Sequence, residues 1–266
     1  MQLSYTAYGT TGPAVVFLHG LMGRGRNFLT AAKALEDQYR CFLVDLPNHG
    51  SSPWTEDFNY EDMAQAVIEF IETTVRPETG EELVVLLGHS MGAKTAMVAA
   101  LRKPQLFKSL IVEDMSPVSS EDSNFVPLLS ALAGLDLAAL ESRSQADAEL
   151  EKAGVSDSTV RGFLLQNLRR TDSGFEFQAN VAMLNSAVSD INAFPDFAGK
   201  TYDGPVLWMG GAKSNYIRDE HDKPMRALFP RAQKVMVKDA GHWVHSEKPE
   251  EFLAVLRGFL GQTADS

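Results

Sequence analysis

Ser90 stands between two glycines in Gly88-His89-Ser90-Met91-Gly92, directly after the apolar run 83–87 and directly before Ala93-Lys94-Thr95-Ala96-Met97-Val98-Ala99-Ala100. A serine that turns a strand into a helix needs small neighbours, because the two elements approach closely there, and the strained turn lifts its hydroxyl clear of the sheet. The chemistry open to such a hydroxyl is attack on an acyl carbon. It requires a base, an acid to orient that base, and donors for the oxyanion that forms. The five-residue pattern is common by chance; the strand before it and the helix after it make it specific.

The base is expected on a loop after the last strand, and Asp239-Ala240-Gly241-His242-Trp243-Val244-His245 lies there. His242 follows Gly241 at the loop tip, whereas His245 sits close to the start of the final helix, where capping and packing are more usual roles. His49, His89 and His221 read as structural or solvated residues. For the acid, the run 109–112 is followed by Glu113-Asp114-Met115-Ser116-Pro117, which brings two carboxylates to one edge of the sheet. Adjacent strand residues face opposite sides, so only one can meet His242. Asp114 is the choice and Glu113 the alternative. The loop after 205–209 reads Gly210-Gly211-Ala212-Lys213-Ser214-Asn215-Tyr216 and has no carboxylate before Asp219, which belongs to the next helix. The oxyanion donors are expected to be the backbone N–H groups of Met91, at a helix start, and of Leu21, in His19-Gly20-Leu21-Met22-Gly23.

These groups need a scaffold. Short leucine-rich or β-branched runs at 14–18, 41–44, 83–87, 109–112, 205–209 and 234–237 have the character of strands buried on both faces of a parallel sheet. Amphipathic stretches at 28–35, 60–72, 93–102 and 249–260 predict helices between them, a doubly wound α/β plan. From 117 to about 200 the alternation stops. There the periodicity predicts helices at 126–132, 135–140, 146–153, 158–168 and 178–188, and no strand. The expected organisation is a core of 1–116 and 200–266 with a helical cap, 117–199, inserted after the strand that ends at Asp114 and lying over the mouth of the sheet. Residues 261–266 read as a frayed tail.

A net charge of −11 argues against nucleic acid and anionic membranes as partners. No run of 18 apolar residues occurs and no basic, apolar leader opens the sequence, so a cytoplasmic setting without integral membrane association is expected. Cys41, the single cysteine, permits no internal disulfide and no cysteine metal site, and reads as a packed core thiol. No metal or other cofactor is called for, and a homodimer is left open.

With these residues in view, the chain resembles an α/β-hydrolase-fold serine esterase, and specifically the small YbfF-type esterases and their mitochondrial relatives. The resemblance rests on Phe17-Leu18-His19-Gly20-Leu21-Met22-Gly23, Asp45 with Asn48-His49-Gly50, the motif around Ser90 with Lys94, and Asp114-Met115-Ser116-Pro117. Gly210-Gly211 with Ser214 and Tyr216, and Gly241-His242-Trp243-Val244-His245 with Glu247, extend it over nearly the whole chain. It departs at Pro47, where the family tends to have arginine, and at Ala93, where a glycine often follows. The resemblance implies that the acid follows the strand before the cap, hence Asp114. It also implies hydrolysis of a small-molecule carboxylic ester through an acyl-enzyme on Ser90, and the small cap favours a short to medium acyl chain. His19, Met22, Phe125, Phe163, Phe177 and Trp243 are the expected substrate-binding residues. Three alternatives stay open: an acyl-CoA thioesterase, an acyltransferase or perhydrolase using the same triad, and a non-catalytic small-ligand receptor.

Overall fold

The computed structural model describes residues 1–120 and 125–264. The chain opens with β1 (Tyr5–Tyr8), β2 (Ala14–Leu18), α1 (Leu29–Leu35), β3 (Arg40–Val44) and α2 (Tyr60–Phe70). A π-helical stretch (Ile71–Val75) and the short α3 (Arg76–Thr79) lead to β4 (Val84–His89), α4 (Met91–Arg102) and β5 (Phe107–Glu113). The inserted stretch then carries α5 (Phe125–Ala133), α6 (Arg143–Lys152), α7 (Ser158–Leu165), β6 (Leu168–Thr171), β7 (Gly174–Phe177), α8 (Val181–Ser186) and α9 (Val188–Asn192). The core resumes with β8 (Val206–Gly211), α10 (Asp222–Leu228), β9 (Ala232–Val237), α11 (Val244–Glu247) and α12 (Pro249–Ala264).

Seven strands form one sheet in the order β1-β3-β2-β4-β5-β8-β9, with β1 antiparallel to its neighbour and the rest parallel. Alternate residues feed two apolar layers. Val15, Phe17, Leu87 and Ile111 pack with Phe28, Ala32, Phe252 and Leu256 on one face. Val16, Leu18, Leu86 and Val112 pack with Met63, Val67, Met97 and Leu101 on the other. All five residues of β2 are buried, as expected of a parallel strand covered on both sides. The chain runs from β2 outward to β3 and then returns to place β4 on the other side of β2. The loops leaving β2 and β4 therefore diverge, which opens a crevice at the carboxyl ends of these strands.

The inserted stretch meets this edge of the sheet. Asn167 Nδ2 donates to the Met22 carbonyl at 2.7 Å, the Asn180 N–H to the Asn48 carbonyl at 2.9 Å, and the Tyr60 hydroxyl to the Ile191 carbonyl at 2.7 Å. Lys94 Nζ, buried in the first turn of α4, donates to the carbonyls of Asn192 and Ala193 at 2.7 and 2.9 Å.

Three local expectations are corrected. Residues 135–140 form turns rather than a helix, because Asp136 Oδ1 takes the N–H groups of Ala138 and Ala139 in place of a helical ladder. Residues 168–177, where no strand was expected, form an antiparallel hairpin that pairs Leu168 with Phe177 and Arg169 with Glu176. Asp172-Ser173-Gly174 supplies its turn, and Gly174 takes a φ of 135° that a side chain would resist. The tail does not begin at 261, since α12 continues to Ala264; Asp265 and Ser266 lie outside the described residues.

Candidate active site

Ser90 occupies a left-handed conformation, φ 54° and ψ −117°, between the end of β4 and the start of α4. Its neighbours have to be glycine. A Cβ on Gly88 would lie 2.2 Å from the Gly92 carbonyl oxygen, and one on Gly92 would lie 2.4 Å from that of Leu18. The Ser90 N–H is tied to the Glu113 carbonyl on β5 at 3.0 Å, and its hydroxyl lies 3.0 Å from His242 Nε2. His242 Nδ1 donates to Asp114 Oδ2 at 2.7 Å.

Asp114 is fully buried, just past the end of β5, also at positive φ. Its own N–H reaches the Met209 carbonyl at 2.7 Å. Three donors offset the burial of its carboxylate: His242 on Oδ2, the Gly211 N–H on Oδ1 at 2.9 Å, and the Ser214 hydroxyl on Oδ2. Tyr216 stacks on the His242 ring with centroids 4.1 Å apart. Burial, reinforced by Asp114, pushes its phenol up to about 12, so it faces His242 as a neutral ring.

The loop after β2 runs close to Ser90. Gly20 comes so close that a Cβ there would lie 3.2 Å from Ser90 Cβ and 2.8 Å from His89 Nδ1. Two buried histidines build this loop. His19 Nδ1 donates to the Gly20 carbonyl at 2.8 Å while its Nε2 accepts the Leu46 N–H at 3.0 Å. His49 Nε2 accepts the Met22 N–H at 3.1 Å. Burial pulls the first down to about 4 and the second to about 3, so both are neutral at physiological pH. Among the described residues no hydrogen bond takes up the amides of Leu21 or Met91, and both residues line the same cavity as Ser90.

That cavity has a volume of about 240 Å³, and Phe125 and Tyr216 wall it with Tyr60, Lys94 and Ile191. Phe163 and Trp243 meet at 5.6 Å in a second cavity of about 550 Å³, which His19, His89 and His245 border. His19 has both ring nitrogens spent on the loop, so its place is architectural. Two expected pocket residues fall elsewhere. Met22 is fully buried, because its positive φ turns it into the core beneath the loop. Phe177 sits on the unforeseen hairpin and lines a separate groove with Trp54 and Arg169. The alternatives weighed for base and acid meet each other: His245 Nδ1 donates to Glu113 Oε1 at 2.8 Å. Asp219 is fully exposed.

Lys94, Ser214 and Tyr216 are among the residues that carry the family resemblance and His89 reads as structural, but sequence reasoning assigned none of them a stated role beside Ser90, His242 and Asp114.

Residues 13–249 match the family described as the alpha/beta hydrolase fold. The chain belongs to the α/β-hydrolase family. This hydrolase is 37% identical to the sn-1-specific diacylglycerol lipase ABHD11 of Mus musculus, an alignment that covers 98% of this chain and 85% of the relative. It is 32% identical to a Saccharomyces cerevisiae protein named "Probable alcohol acetyltransferase", over 97% of this chain and 80% of that one. A solved marine microorganism esterase superposes on it with a TM-score of 0.92 at 30% identity, covering 97% of the hydrolase and 99% of the esterase. Among the described residues no helix is long and apolar enough to cross a membrane.

Proposed function

We propose that this hydrolase cleaves carboxylic esters of short to medium acyl chain through an acyl-enzyme on Ser90. The observation that carries the reading is the unbroken hydrogen-bond chain from Ser90 through His242 to Asp114, beside two unspent amides in one cavity. In the proposed reaction Ser90 Oγ attacks the ester carbonyl carbon while His242 Nε2 takes the hydroxyl proton. The amides of Leu21 and Met91 hold the oxyanion, each donor contributing about 3 kcal/mol to the transition state. Collapse expels the alcohol, which leaves with the proton from His242; water, deprotonated by the same nitrogen, then releases the acid. Asp114 holds the imidazole in one tautomer and stabilises its charged form without taking the proton.

A cavity of about 240 Å³ accommodates a short acyl group more readily than a long one, which supports the chain-length part of the proposal. Residues 117–199 serve in this reading as a cap over the carboxyl edge of the sheet. The lipase and esterase names of the relatives agree with ester hydrolysis. A p-nitrophenyl ester series from acetate to palmitate, run beside Ser90→Ala, tests it: serine-dependent turnover that peaks at short chains is expected, and turnover that persists in the variant overturns the reading.

The yeast relative's name favours one second reading, transfer of the acyl group to an alcohol in place of water. The same site residues serve both. Formation of ethyl ester on addition of ethanol to the wild type, and its absence in Ser90→Ala, separates transfer from hydrolysis alone.

A further inference from the structure

A second histidine–carboxylate pair lies beside the first, and the reaction above gives it no task. Glu113 and Asp114 are consecutive and face opposite sides of the sheet; Asp114 meets His242, and Glu113 meets His245 on the same loop. Glu113 Oε1 accepts both the backbone N–H of His245, at 2.9 Å, and its Nδ1–H, at 2.8 Å. His89, adjacent to Ser90, completes the group. Its ring lies 5.0 Å from that of His245 and 4.7 Å from that of His242, and its Nε2–H donates to the His242 carbonyl at 2.9 Å. The backbone that carries the base is thus held at the carbonyl of residue 242 and again at the amide of residue 245.

Stability does not account for the arrangement. Glu113 is fully buried, and its second oxygen, Oε2, has no partner among the described residues. A buried carboxylate with an unmet oxygen is costly, and apolar side chains of similar volume would pack there at lower cost. The three side chains also bring one ligand atom each within 4.8 Å of one another. One atom of each is committed to a protein partner: His245 Nδ1 and Glu113 Oε1 to each other, and His89 Nε2 to the His242 carbonyl.

We propose that His89, Glu113 and His245 are positioning residues that fix the loop 241–245 so that His242 Nε2 stays on the Ser90 hydroxyl. The inference rests on the reading of Ser90, His242 and Asp114 as the catalytic triad. His242 itself is faced by Asp114, Ser90, His89, Tyr216, Phe125 and Trp243. The backbone on either side of it is also held by Glu247, whose carboxylate accepts the N–H groups of Gly241 and Trp243 at 2.7 and 3.1 Å, so the pair at Glu113 and the bond from His89 add to that hold at residues 245 and 242. The small scale of the required precision is what makes such restraints matter: a misplacement of about 1 Å costs a reaction about 100-fold.

Two pairs of variants in the full-length protein test this. Glu113→Leu and His89→Leu remove the restraints, whereas Glu113→Gln keeps an oxygen acceptor for His245 and His89→Gln keeps an N–H donor for the His242 carbonyl. The leucine variants are expected to lose kcat on p-nitrophenyl acetate by about 10- to 100-fold with KM little changed. The low-field proton resonance of the His242–Asp114 hydrogen bond should broaden or vanish with it. The glutamine variants should keep that resonance and most of kcat. Folded leucine variants with wild-type kcat and resonance overturn the proposal, as do glutamine variants that lose as much as leucine. If Glu113→Leu does not fold, the His89 pair, which alters one hydrogen bond to the His242 carbonyl and the ring contacts with His242 and His245, decides the matter. Labelling of wild-type Ser90 by a serine-directed fluorophosphonate is run alongside; its failure would overturn the reading of the triad itself, a result distinct from loss of positioning.

Discussion

In α4, which follows Ser90, eleven of twelve residues are buried, whereas in α6 of the inserted stretch only Ala146 and Leu150 are. The sheet edge is set by apolar interlock on two faces. The insert joins that edge in two ways: its Leu129, Leu164, Leu184 and Ile191 share one apolar cluster with Leu18, Met22 and Met97, and hydrogen bonds onto backbone carbonyls run from Asn167 to Met22, from Asn180 to Asn48 and from Lys94 to Asn192 and Ala193. Apolar burial resists displacement over its whole area, while a few polar links exchange readily with water. Ser90 and Asp114 thus lie on the side that is buried throughout, and the inserted stretch on the side with the more exposed helices.

The buried side should give the largest effects without loss of fold. Ser90→Ala is expected to abolish ester turnover while the melting temperature stays within a few degrees of wild type; a variant that unfolds would mean that the elbow is part of the core's stability and would blur the division. Asp114→Asn should lower kcat by up to about 10⁴, by analogy with the orienting carboxylate of the serine protease triad. Steady-state kinetics on the folded variant checks this.

The insert should respond differently. Lys94 buries its ammonium against three carbonyls and over the Tyr60 ring at 5.6 Å, and burial pulls its pKa down to about 7. Lys94→Met removes the clamp, and KM is expected to rise by about tenfold, equivalent to about 1.4 kcal/mol, with a smaller change in kcat. Hydrogen exchange at 188–193 should accelerate in the same variant while exchange in β4 stays slow; equal acceleration in both would erase the contrast between the two regions.

A smaller, pH-dependent effect concerns the loops on which the insert docks. His19 and His49 titrate at about 4 and about 3 in the folded chain, below the ordinary value of about 6.5 that they regain on unfolding. The unfolded chain therefore binds more protons below pH 6.5, so their contribution to stability is whole above that pH and is lost as pH falls toward 4. Melting temperature followed from pH 7.5 to 4.5 should fall along this course, and a flat profile would contradict it. Least of all, Asp219→Asn should leave kcat/KM nearly unchanged, because that carboxylate points into solvent away from His242.

The difference between the two regions also governs what was legible in the sequence. Every core strand expected from an apolar run is present within two residues at either end, and β2 has the bounds the run predicts. The insert was read less well. Its helical periodicity ran on through 166–168 and 135–140, where the structure has turns and a hairpin, because exposed two-layer segments obey local turn chemistry as much as periodicity. The same holds for the pocket: Phe125 lies beside Ser90, while Phe177 and Met22 do not, and aromatic type alone carries no information on which cavity a residue faces.

The sequence by itself determined the strand–turn–helix at Ser90, since only glycines fit around it, and brought Glu113 and Asp114 together at the end of one strand. Which carboxylate met which histidine was decided by the tertiary structure alone. Parallel strands bring β4, β5 and the loop after β9 together from residues more than a hundred positions apart. Only that long-range packing puts His242 on Asp114, His245 on Glu113, and Leu21 and Met91 in one cavity with Ser90.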